Sequence, residues 1–256
     1  MKRKFNFVKL IGLLAFVFAF NFASFAQDAK PAETAAKTTD APAEELSFHQ
    51  AIKTKFIEGG PEYMTPILIC LIIGLAVAIE RILTLNLAST NSARLVKQVE
   101  EALQSGGVDA AISLTSSTKG PVAAIFTQGL MRAGEGVDMV EKSVVAYGSV
   151  EMGKLERGLI WISLFIALAP MLGFLGTVVG MIGAFDAIEA AGDISPSLVA
   201  GGIKVALITT VGGLIVAIIL QLFYNYCISK IDSVVGEMEE SSIALVDVVV
   251  KYLSKK

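Results

Sequence analysis

Charge is scarce in this sequence: Asp, Glu, Lys and Arg make up only 18% of its 256 residues, against 54% hydrophobic residues. With a mean hydropathy of +0.67, the composition excludes an ordinary soluble domain and points to a membrane protein. The net charge of −3 includes no excess or stripe of Lys and Arg, which excludes a nucleic-acid footprint. The single histidine, His49, has no constellation of Cys, Asp or Glu at ligand spacing, so it reads as a bystander and no metal site is expected. Cys70 and Cys227 lie far apart in or beside apolar runs, without CxxC spacing, and read as small hydrophobes. Gly173, Gly176 and Gly180 sit inside an apolar helix rather than after a strand, so they form no phosphate cradle. No catalytic residue and no cofactor is expected.

The N-terminus has the three parts of a secretory signal: basic Met1-Lys2-Arg3-Lys4, an apolar stretch over residues 5–25, and the small-residue exit Ser24-Phe25-Ala26. Residues 1–26 are therefore expected to be a signal peptide cleaved after Ala26, an uncleaved anchor being the alternative. Residues 27–60 are expected to form a flexible extracytoplasmic tail. Its first part, over residues 27–46, is rich in Ala, Thr, Pro, Glu and Asp and cannot bury enough surface to order itself.

The mature chain reads as an all-α membrane protein with three spans. Residues 61–88 form the first: 64–79 carry no charge, and Gly59-Gly60-Pro61 supplies the breakers before the helix. Residues 89–157 turn soluble and helical, and carry the Lys and Arg expected of a cytoplasmic segment. Leu95, Val96, Val99 and Leu103 recur at helical spacing before Gly106-Gly107; Val122, Ile125, Phe126 and Leu130 do so between Gly120-Pro121 and the breakers Gly134 and Gly136. The second span occupies residues 158–186, interrupted only by Pro170. The upstream period of Val140, Val144, Tyr147 and Leu155 predicts one continuous helix over 139–185, on the order of 70 Å long. A periplasmic loop over 187–195 follows, and Ser195-Pro196 caps the third span, residues 196–227. Residues 228–256 continue as a cytoplasmic helix whose apolar seam runs through Ile231, Val234, Met238, Leu245, Val249 and Tyr252.

The spans carry small-residue ridges. Gly176-x-x-x-Gly180 with Ala184 lets another helix approach closely. On the third span Gly202, Ala206 and Thr210 share one face, while Thr209, Gly213 and Ala217 form an adjoining one. These faces serve packing within one subunit or a ring of subunits around a pore. Thr177 and Thr210 lie near mid-span, where a hydroxyl either hydrates a passage or bonds its own i−4 carbonyl. Lys204 is the only charge within residues 159–185 or the third span. It either snorkels outward to Asp186 or Glu189, or faces the ion path or a partner. Neither of these stretches holds an Asp, Glu or His, so a proton carrier must come from another chain.

Ala169-Pro170-Met171-Leu172-Gly173-Phe174-Leu175-Gly176-Thr177-Val178-Val179-Gly180-Met181, with Ala206-Leu207-Ile208-Thr209-Thr210 and Gly213-Leu214, closely resembles the MotA/TolQ/ExbB proton-channel family, most of all an ExbB-type biopolymer transport subunit. The resemblance covers most of residues 60–235, including Ile79-Glu80-Arg81 and Gly120-Pro121. It implies a homopentamer around two copies of a single-span partner of the ExbD/TolR type, whose membrane aspartate carries protons. Thr177 and Thr210 match the family's pore-lining threonines. The implied function is the proton-channel subunit of an inner-membrane motor that drives energised transport or envelope mechanics, with a TonB-like periplasm-spanning protein as a further partner. The alternatives are a non-conducting scaffold and a flagellar or gliding stator subunit. Val205 stands where ExbB and TolQ members typically carry a glutamate. A secondary carrier is disfavoured, because three spans are few and broken half-helices are absent.

Overall fold

The computed structural model describes residues 48–88, 91–192 and 196–254. The expected signal peptide, the stretch over 27–47 and the capping Ser195 lie outside the described residues. The described residues form an all-helical structure: α1 Phe48–Glu58, α2 Pro61–Ala88, α3 Ser92–Ser117, α4 Pro121–Met131, a 3-10 turn Ala133–Glu135, α5 Val137–Glu156, α6 Leu159–Ala191 and α7 Pro196–Leu253. Three of its helical segments are long and apolar enough to cross a membrane. At 1.5 Å per residue the 58-residue α7 is about 87 Å long, far more than the roughly 30 Å hydrocarbon core, so it serves both a bilayer and a domain beyond it.

Two apolar cores divide the molecule along α7. In the span bundle Ile67 and Cys70 of α2, Ala169 of α6, and Val216 and Leu220 of α7 cluster together. Gly74 of α2 makes room for Leu220, whose side-chain carbons fill the position where a Cβ would stand. The second core joins the C-terminal half of α7 to α3, α4 and α5. Leu95, Val99, Leu103, Ile125, Phe126, Leu130, Val140, Val144, Leu245 and Val249 are buried there. Gly107, at φ +72°, breaks the axis of α3, and Pro121 opens α4 at its first position, as local chemistry requires.

Three features differ from the sequence expectation. The tail assigned to 27–60 contains a helix, α1. The continuous 139–185 helix is broken at Arg157–Gly158, where Gly158 adopts φ +94°. The Arg81 guanidinium sits in that joint, its Nη1 donating to the Arg157 carbonyl at 2.6 Å. Finally, α6 runs on to Ala191 and ends on left-handed Gly192, so Glu189, expected in the loop, is helical.

Candidate functional site at the α6–α7 seam

Lipid gives helices no hydrophobic reason to associate, so close approach must come from small side chains. The α6–α7 seam is built this way. A Cβ on Gly173 would meet the Thr209 carbonyl at 2.8 Å and the Thr210 Cα at 3.2 Å, and one on Gly176 would strike the Thr209 side chain at 2.8 Å. Gly180 lies against the Ala206 amide nitrogen, Gly202 against Ala184, and Gly213 against the Ala169 carbonyl. Ala206 is 2% exposed. Gly173, Gly176, Gly180, Gly202, Ala206 and Gly213 thus all lie along one close helix-to-helix contact.

The threonines of this seam divide into two kinds. Thr209 is wholly buried against Gly176, and its hydroxyl donates to the Ala206 carbonyl of its own helix at 2.8 Å. The Thr177 and Thr210 hydroxyls bond each other across the seam. Thr177 also reaches the Gly173 carbonyl of its own helix and the Ala206 carbonyl of α7, both at 3.2 Å, and Thr210 reaches Gly173 at 3.4 Å. Both side chains are only half-buried. Both residues are therefore partly accessible from outside the seam.

What covers each side of the seam differs. At 100° per residue, α7 presents Ala206, Thr209 and Gly213 to α6, and Val205, Ile208, Gly212 and Val216 to α2 and the turn before it. A third side carries Leu207, Val211, Leu214 and Ile218, all exposed, and α6 adds exposed Phe174, Val178 and Phe185 beside them. The Thr177–Thr210 pair borders this uncovered apolar side.

Lys204 pairs with neither Asp186 nor Glu189. Its Nζ lies 2.8 Å from Glu58 Oε1, and Lys55 holds the other carboxylate oxygen at 2.7 Å. The Lys204 ammonium first, and then that of Lys55, holds the Glu58 carboxyl below the usual glutamate range. The only sequence signal for this pairing is that an ammonium in an apolar span needs a counter-charge. Arg81, which the sequence offers only as part of Ile79-Glu80-Arg81, bonds both Glu80 oxygens at 2.6 Å while capping Arg157.

Residues 117–240 match the model of the MotA/TolQ/ExbB proton channel family. Over 169 residues the chain is 34% identical to an ExbB homolog of Methanothermobacter thermautotrophicus, covering 66% of this chain and 60% of that protein's length. It is 38% identical over 96 residues to the biopolymer transport protein ExbB of Xanthomonas campestris, over 38% of each. A chain of the solved C. jejuni MotAB structure superposes with a TM-score of 0.56 at 15% identity, covering 95% of this chain and 89% of that one, and shares its fold. Three helices long and apolar enough to cross a membrane, with the glycine–threonine seam between the last two, make this chain a multi-pass membrane protein whose residues 117–240 are similar to the MotA/TolQ/ExbB proton channel family.

Proposed function

We propose that the uncovered α6–α7 side lines the proton path of an inner-membrane motor, in which this chain forms a homopentamer around a dimeric single-span partner of the ExbD/TolR kind. The observation that carries this reading is the Thr177–Thr210 hydroxyl pair at the border of an apolar side that the chain leaves uncovered. An apolar wall with one pair of hydroxyls accepts a partner helix and offers its acid a hydrogen-bonding station at mid-span. The carboxylate that binds and releases the proton belongs to the partner, since residues 159–185 and 196–226 hold no Asp, Glu or His. The α3–α5 domain faces the cytoplasm, where its Lys and Arg belong, and α1 lies on the periplasmic side. Each elementary charge crossing 100 mV releases about 2.3 kcal/mol, enough for partner rearrangement to pull on a TonB-like protein and through it on an envelope load.

The test is proton flux and energised transport in cells carrying Thr177→Val and Thr210→Val, with insertion and partner co-purification verified. Each change should lower flux roughly tenfold, the equivalent of losing one hydrogen bond worth about 1.4 kcal/mol in the transfer step. Undiminished flux with the complex intact would reduce the pair to packing, whereas no proton flux through the intact wild-type complex would leave a non-conducting scaffold.

A further inference from the structure

The one ammonium of the α7 span and its counter-charge come from distant parts of the chain, and the contact between them is more than a pair of long side chains. Gly59, next to Glu58, is buried: a Cβ there would meet Ile208 Cγ2 at 2.8 Å and Met64 Cγ at 2.9 Å. Gly60 turns the chain at φ +79° beside Val205, and Met64 reaches over to cover Gly212. The α1–α2 turn is thus seated on the 205, 208 and 212 side of α7, which places Glu58 over Lys204. Upstream, α1 exposes Ile52 and Ile57 together with Lys53 and Lys55. That mixture suits a helix lying at a bilayer surface.

Lys204 borders the same uncovered side of α7 as Thr210, six residues and about 9 Å away along the axis. Its side chain is 53% exposed, and among the described residues Glu58 is the carboxylate paired with it. Across so short a distance, and against apolar walls, a bare ammonium is weakly screened.

Resting on the ion-path reading above, we propose that α1 is a clasp: its Glu58 neutralises Lys204 at the mouth of the Thr177–Thr210 side, and lifting α1 bares the ammonium and closes that mouth to cations.

Two readouts on the full chain in native membranes test this: hydrogen exchange of the α1 amides for seating, and proton flux for the mouth. Glu58→Gln should expose α1 to exchange and lower flux roughly tenfold, the scale on which a single-sign charge changes local cation concentration. Glu58→Gln with Lys204→Gln should leave α1 unprotected yet restore flux to within about twofold of wild type, since no bare ammonium remains. The reversed pair, Glu58→Lys with Lys204→Glu, should restore both. Unchanged α1 protection in Glu58→Gln overturns the clasp, and a double Gln variant as poor in flux as Glu58→Gln overturns the charge at the mouth. If α1 loosens in Glu58→Gln while the Thr177→Val and Thr210→Val changes leave flux intact, the ion-path reading fails and the seating of α1 stands.

Discussion

Gly213 of α7 lies so close to Ala169 of α6 that a single added methyl would collide with the Ala169 carbonyl oxygen. The obstacle is backbone, which cannot rotate out of the way as a side chain would. Gly183, on the same α6 helix, has nothing within 4 Å of its would-be Cβ. Gly213→Ala should therefore separate α6 from α7 and cost about 1–3 kcal/mol, whereas Gly183→Ala should leave stability unchanged. Thermal unfolding in detergent decides the matter; equal melting temperatures for the two variants would contradict the seam.

Neighbouring threonines should behave differently. Thr209 is buried and its hydroxyl is spent on its own helix, while Thr210 bonds across the seam and borders the uncovered side. Thr209→Val keeps the shape that packs on Gly176 and should hold flux within about twofold of wild type, having lost only a local bond of roughly 0.5–1.5 kcal/mol. Thr210→Val should lower it about tenfold. If Thr209→Val proved the more damaging in a flux assay, the lining side would be misassigned.

The spans, the seam of small residues and the helical domain were legible because hydropathy and the 3.6-residue period are local properties. Leu95, Val99, Phe126, Val140, Leu245 and Val249 all announce their burial by spacing alone. The partner of Lys204 was not legible, since Glu58 lies far upstream in a segment whose composition reads as tail. The interruption at Gly158 was hidden for a related reason. Helical periodicity continues on both sides of it, and the left-handed turn is occupied by Arg81, which arrives from a different helix. Long-range pairs leave no periodic trace, so sequence gave the frame of the site and structure its charges.

That joint yields its own prediction. The Arg81 side chain is only 14% exposed, with Glu80 holding its guanidinium in place and the Arg157 carbonyl as its target. Arg81→Ala should leave that carbonyl without its cap, at a cost of roughly 1.5–3 kcal/mol for a charged hydrogen bond. Gly158→Ala should cost about 1–3 kcal/mol through strain at φ +94°, with its Cβ also meeting Arg81 Cδ at 3.2 Å. In both variants amide exchange should rise first at the α5–α6 junction. Faster exchange confined to α3 would mean that the joint is held by something else.

The clasp also predicts a pH response of definite sign. Lys204, and after it Lys55, depresses the Glu58 pKa, so the stabilisation it gives is fully present above the ordinary glutamate value of about 4.3 and is lost as pH falls through the lower folded value. Seating of α1 should accordingly be flat from about pH 8 down to about pH 5 and give way only below about pH 4. A spin label at Ile57→Cys reports this, because Ile57 is 58% exposed and the native Cys70 and Cys227 are buried. Label mobility should rise only at the acid end, and in a Glu58→Gln background it should be high at every pH. A transition between pH 5 and 7 would instead mean that some group other than Glu58 holds α1 down.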